Sequence, residues 1–151
     1  MSDVEIIKEI RDETGLSVAQ ISKALKEATG DKTKAIELLR SQAGATAAKK
    51  SERMAKDGVV AAYVHTNGKL GALVSLACET DFVARNDNFK ELARDLAMHA
   101  SAMRPADEAE MLAQPFVKDP NLTVQELINQ SIAKLGENIK LLSVAVQVIG
   151  Q

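Results

Sequence analysis

The sequence predicts an α+β protein in which an N-terminal three-helix bundle precedes a small three-stranded antiparallel sheet with helices packed on one face. Residues 2–40 carry three short runs of helical apolar period, each opened by a Ser or Asp and separated by glycine. From Gly58 the period becomes alternating and is interrupted by Asn67-Gly68, the signature of a hairpin. Helical period then returns at Asn88, and alternation returns at Leu142.

Each element follows in order. Ser2 with Glu5 forms a capping-box pattern ahead of Ile6, Ile7 and Ile10, and Gly15 can stop that helix in the left-handed conformation. Ser17 with Gln20 opens a second helix bearing Val18, Ile21, Leu25 and Ala28, closed by Gly30. Asp31 caps a third with Ala35, Ile36, Leu38 and Leu39. Residues 1–43 are therefore expected to form a small helical module. Residues 44–57 have a poor apolar stripe and mixed charge, which suits a mobile or helical connector, and residues 58–151 form the α+β core.

In the core, a type I′ turn at Asn67-Gly68 pairs residues whose numbers sum to 135. Val59, Ala61, Tyr63 and His65 then share the core face with Leu76, Val74, Ala72 and Leu70. The reverse side, Val60, Ala62, Val64, Leu73 and Ala77, is apolar enough to suggest that it is partly covered. Asn88 and Glu91 cap a helix whose stripe is Phe89, Leu92, Ala93, Leu96, Ala97, Ala100 and Met103. Pro105, Pro115 and Pro120 bracket a segment with one short helix, and Thr123 with Glu126 caps another that Gly136 ends. Leu142, Val144, Val146 and Val148 form the third strand.

Composition narrows the function. The 151 residues hold 19 Lys+Arg against 21 Asp+Glu, so no basic field attracts nucleic acid, and residues 1–57 differ from the rest only as +1 against −3. No stretch approaches the apolar length of a membrane span, and the first residues lack a signal-peptide pattern; a cytoplasmic protein is expected. The eight glycines fit neither GxGxxG nor GxxxxGK[ST]. One cysteine and two histidines leave little for a metal or cofactor site, so none is expected. Cys78 reads as a core thiol, His99 as a packed or surface imidazole, and Glu79 with Asp81 as a carboxylate pair lacking a third polar group. An enzyme is a poor reading, and one would require a polar cleft around Glu79, Asp81 and His65.

The segment Glu79-Thr80-Asp81-Phe82-Val83-Ala84-Arg85-Asn86-Asp87 stands apart as a charged loop with two apolar residues in its middle. Composition alone favours Phe82 folding back onto the core; the alternative is a protruding anchor worth roughly 1.5–3 kcal/mol of burial to a partner. Thr80-Asp81-Phe82-Val83-Ala84-Arg85-Asn86 resembles the TDFV signature of bacterial translation elongation factor Ts. Thr14-Gly15, Lys23-Ala24-Leu25, Gly30-Asp31, Lys34-Ala35-Ile36-Glu37 and Leu39-Arg40 look like that family's ubiquitin-associated-type module. Lys49-Lys50, Asp57-Gly58-Val59-Val60 and Gly136-Glu137-Asn138-Ile139 stand where members carry AAKK, DGV and GENI. The second helix departs from the usual MDCKKAL at Ala19-Gln20-Ile21-Ser22-Lys23-Ala24-Leu25.

The resemblance implies guanine-nucleotide exchange on elongation factor Tu, GDP-bound or nucleotide-free. In the family the Asp-Phe pair enters beside the GTPase magnesium site, the ion and the phosphate loop are disturbed, and GDP leaves. Carried over, Thr80, Asp81, Phe82 and Val83 are the partner-binding residues, with Arg85, Asn86, Lys23 and Leu16 as additional contacts. The other class of function is a non-exchange binding module of the ubiquitin-associated type, which accounts for residues 1–43 but not for the TDFV segment. Longer relatives continue past the third strand into a second core half and a helical dimerisation insert. With the chain ending at Gln151, a weak homodimer is expected to substitute for that half, with no direct nucleic-acid or membrane partner.

Overall fold

A computed structural model describes residues 2–150; Met1 and Gln151, the outer bounds of the expected first and last segments, lie outside the described residues. Helix α1 (Asp3–Thr14) begins on a complete capping box, the Ser2 hydroxyl accepting from the Glu5 N–H at 3.3 Å and the Glu5 carboxylate from the Ser2 N–H at 3.1 Å. It ends at Gly15 with φ 70°. Helix α2 (Val18–Glu27) repeats the device with Ser17 and Gln20. Asp31 caps α3 (Lys32–Lys50) by accepting from the Lys34 N–H at 3.2 Å. Ile6, Ile10, Ile21, Leu25 and Leu39 meet in one buried cluster.

Helix α3 does not stop at the module. It continues through Gly44 to Lys50, so the first half of the expected connector is helical, with Ala43 and Ala47 buried. Its later turns pack on α7 (Val124–Leu135), and Ala47 belongs to the cluster under the sheet rather than to that of the first three helices. Polar links run alongside: Lys50 Nζ donates to the Gly136 carbonyl at 2.7 Å and Arg40 to that of Asn121 at 3.4 Å.

Strands β1 (Asp57–Val64), β2 (Leu70–Cys78) and β5 (Lys140–Val148) form an antiparallel sheet in the order β1-β2-β5. The expected register holds, with Val59 opposite Leu76, Ala61 opposite Val74 and Tyr63 opposite Ala72. The turn is a different one. The His65 carbonyl accepts from the Gly68 N–H at 2.8 Å, which centres the turn on Thr66-Asn67, and Gly68 alone in the loop has positive φ. A type I′ turn would require positive φ at Asn67 as well. Instead the Asn67 side chain accepts from the Lys69 N–H at 2.9 Å. Register survives because the four-residue loop is centred on the same point.

Two further corrections concern the sheet. A bulge opposite Ser75/Leu76 turns Leu142 outward and places Leu141 inward with Val144 and Val146, so Leu142 is out of phase with the stripe assigned to it. The reverse face is covered at Ala77, which is buried, but is open over the rest of its length: Val60, Val64, Leu73 and Leu142 are all more than half exposed.

The segment after β2 is a single helical turn, α4 (Asp81–Ala84), rather than a loop. Helix α5 (Asp87–Met103) is capped by Asn86, not Asn88, because the Asn86 carboxamide oxygen accepts from the N–H groups of both Asn88 and Phe89, at 2.8 and 3.3 Å. Its apolar stripe from Phe89 to Ala100 lies buried on β1 and β2. Helix α6 (Glu108–Ala113) follows. An unanticipated ribbon, β3 (Pro115–Phe116) with β4 (Asp119–Thr123), then leads into the Thr123 capping box of α7.

Candidate functional site

Strand β2 ends at Cys78, whose thiol is fully buried and donates to the Thr80 carbonyl at 3.2 Å. Burial first, then the carboxylates of Glu137, Asp57 and Glu79, push its pKa up to about 11, against the Thr80 contact. At neutral pH it is a protonated structural group. Thr80 leaves the strand with extended backbone and caps α4, its hydroxyl accepting from the Val83 N–H at 3.4 Å. Within that turn Ala84 is buried and Val83 packs against the core, while Phe82 points away from it and is 82% exposed.

The folded-back reading of Phe82 is therefore overturned. With Val83 and Ala84 spent on the core side of a single turn, the residue before them faces solvent. Asp81 opens the turn and lies 3.6 Å from Arg85, both largely exposed. Asn86 is occupied as the α5 cap. Thr80, Asp81, Phe82, Val83 and Arg85 thus share one short element. Lys23 and Leu16 belong to the N-terminal module: Lys23 is exposed on α2, whereas Leu16 is buried in the bundle and presents little to a partner.

Sequence reasoning assigned no role to the residues that fasten this element. The Glu137 carboxylate, just beyond α7, accepts from the N–H groups of Glu79 and Thr80 at 3.1 and 3.0 Å and from the Thr80 hydroxyl at 2.6 Å. In the other direction the Glu79 carboxylate accepts from the Asn138 N–H at 2.7 Å, and Asn138 Nδ2 donates to the Arg53 carbonyl at 2.8 Å. The available signal was Gly136-Glu137-Asn138-Ile139, a polar pair squeezed between a helix stop and a buried strand entry.

The polar cleft an enzyme would need is not assembled here. His65 sits at the hairpin tip, 3.2 Å from the Tyr63 hydroxyl, while Glu79 and Asp81 follow the opposite end of β2. His99 is buried: Nδ1 accepts from the Val117 N–H at 3.1 Å, leaving Nε2 to donate to Gln114 at 2.9 Å, and burial lowers its pKa against the Gln114 contact. An open hollow of about 500 Å³ between α3, α7 and β5 is lined by no residue of α4. The site is a protrusion on a fastened base.

The family model described as elongation factor Ts matches residues 79–149, from the Glu79 tether to the end of β5. Elongation factor Ts of Nostoc sp. is 48% identical over 138 residues, covering 91% of this chain and 43% of the relative. Elongation factor Ts of Carboxydothermus hydrogenoformans is 37% identical over 182 aligned positions, covering 91% of this chain and 84% of the relative. This chain belongs to the elongation factor Ts family. A third member, from Acetivibrio thermocellus, is 38% identical over 186 positions, covering 93% of this chain and 86% of its own length. The chain thus spans less than half of the Nostoc elongation factor Ts. The latter two alignments are longer than the chain itself, so those elongation factor Ts proteins carry residues within the aligned span that have no counterpart here.

Proposed function

We propose that this chain promotes guanine-nucleotide exchange on elongation factor Tu, with Phe82 as a wedge and Asp81 as a charge directed at the magnesium and phosphate site of the GTPase. The observation that carries this reading is Phe82 itself, a large apolar side chain held in solvent by a turn that is tied down on both sides. An exposed aromatic on a preorganised backbone costs little further ordering when a partner buries it, which is how anchor residues come to dominate interfaces. A factor that bound every nucleotide state equally would shift nothing, so its contacts must favour the magnesium-free, nucleotide-empty state. Linkage then requires GDP to weaken the factor's grip by the same ratio.

Residues 1–43 act in this reading as a separate grip on the GTPase, joined through the connector 44–57 to the core 58–151 that carries the wedge. The test is release of labelled GDP from elongation factor Tu, measured with the parent chain and with Phe82→Ala. Stimulation by the parent and its loss in the variant support the reading. No stimulation by a folded parent chain overturns it.

The outer sheet face is proposed to pair weakly with a second copy of this chain. Val60, Val64, Leu73 and Leu142 surround a Ser75–Ser143 hydroxyl contact at 2.9 Å, a mainly apolar surface whose charge, Lys140 opposite Ala77, lies at one end.

A further inference from the structure

We propose that Glu137 is a positioning residue for exchange: its carboxylate sets the direction of the Thr80 hydroxyl and, through it, the pose of Phe82. This rests on the exchange reading above. A carboxylate can only accept, so the 2.6 Å contact from Thr80 Oγ1 commits the hydroxyl proton to Glu137 and leaves the oxygen lone pairs for the Val83 N–H. That N–H is one of the unpaired donors at the start of α4. The turn makes few bonds of its own, chiefly Ala84 N–H to Thr80 and Arg85 N–H to Asp81, at 3.2 and 3.0 Å, and an isolated turn does not persist in water. Its order is supplied from outside. The other Glu137 oxygen takes the N–H groups of Glu79 and Thr80, so three donors at the root of α4 converge on one side chain 57 residues away. Phe82, with little packing of its own, inherits its pose from this backbone.

Glu137→Gln replaces one acceptor with an amide donor facing Thr80 Oγ1, so the hydroxyl proton must turn away, the charge-assisted bond that fixed its direction is lost, and the amide competes with the Val83 N–H for the oxygen lone pairs. The neighbouring Asn138 N–H to Glu79 bond remains, which keeps the end of α7 attached to the end of β2. Two readouts separate positioning from mere stability: amide hydrogen exchange at Val83 and Ala84 in the free chain, and the dependence of GDP release on factor concentration.

Glu137→Gln is expected to speed exchange of those amides about tenfold, as for loss of a charge-assisted hydrogen bond, with α5 amides unchanged. The concentration for half-maximal GDP release should rise by a similar factor while the saturating rate holds, because only the competent fraction of molecules binds. Thr80→Val should do the same, and the double variant should be no worse than either single. Undisturbed amides and GDP release in both single variants, or a double variant whose losses multiply, overturns the relay. If Phe82→Ala abolishes release while Glu137→Gln and Thr80→Val do not, the relay falls and the exchange reading stands. If Phe82→Ala releases GDP like the parent, the exchange reading falls and the proposal falls with it.

Discussion

His99 Nδ1 accepts the Val117 N–H at 3.1 Å, joining the middle of α5 to the ribbon that follows α6. Only the neutral imidazole can do this while its Nε2–H donates to Gln114, so the bond fixes both tautomer and charge. The ring also stacks on Phe116 at a centroid distance of 5.8 Å, and the nearby Asp95–Lys118 pair at 3.3 Å ties the same helix to the same ribbon.

Because burial lowers the His99 pKa in the folded chain below its ordinary 6.5, the unfolded chain binds the extra proton first as pH falls. The contribution to stability is complete above pH 6.5 and is lost progressively below it. Melting temperature is expected to drop between pH 7.5 and 5.5. His99→Gln should start about 1–3 kcal/mol less stable at pH 7.5, with the Val117 N–H unpartnered, and should show a flatter profile over that interval. Parallel profiles for the two chains would assign the pH dependence elsewhere.

Gly58 adopts φ 148°, and a Cβ built there would collide with the backbone of Leu76 and Ala77. Gly58→Ala should therefore cost about 2–4 kcal/mol in denaturant unfolding, combining a disfavoured backbone with overpacking. The position lies opposite Ala77 at the start of the sheet, where β1 must approach β2 closely. A variant within half a kcal/mol of the parent would show that the strand end can shift freely.

Much of the fold was legible because local chemistry and tertiary packing agreed there. Ser2, Ser17, Asp31 and Thr123 all cap the helices assigned to them, and the period-2 stretches all became strands. The readings that failed turned on competition between neighbouring polar residues. Asn86 won the α5 cap from Asn88, and the Asn67 side chain favoured an Asx-type turn over type I′. Leu142 was misplaced because a bulge leaves no mark on an alternating pattern until the partner strand is known. At the site, the Asp81-Phe82 segment was visible as an apolar pair in a charged run, whereas Glu137 was not visible as its tether. A contact spanning 57 residues has no periodicity to reveal it.

Asp81→Asn should leave the fold intact, since its partner Arg85 is exposed and the Thr80 cap is unaffected. Exchange is expected to fall less than in Phe82→Ala, and unequally at high and low magnesium if the charge acts near the ion. Stopped-flow release of labelled GDP at the two magnesium concentrations checks this, and an identical effect at both would remove Asp81 from the neighbourhood of the metal.

Deleting residues 1–43 is expected to weaken binding to elongation factor Tu and leave a fragment that still unfolds cooperatively. The bundle cluster and the sheet cluster are separate, and Ala47, which stays with the fragment, belongs to the latter. The deletion removes the Arg40 contact to Asn121 and bares Ala133, so a lower melting temperature should accompany it. A broad, non-cooperative transition would show that module and core fold as one unit.

The outer sheet face yields the remaining expectation. Strand β2 is central, so β1 and β5 are both edges, and the face they share exposes Val60, Val64, Leu73 and Leu142. Stacking this face on its own image buries those side chains around the small outward positions Ala62, Ser75, Ser143 and Ala145, with Lys140, opposite Ala77, at one end of the face. Equilibrium sedimentation should show the mass average climbing from monomer towards dimer between micromolar and near-millimolar protein. Leu73→Lys places a charge at the centre of the face and should hold the chain monomeric with an unchanged melting temperature, since Leu73 is already half exposed. A parent chain monomeric over the whole range would sink the idea, and a Leu73→Lys variant that still dimerises would place the contact on another surface.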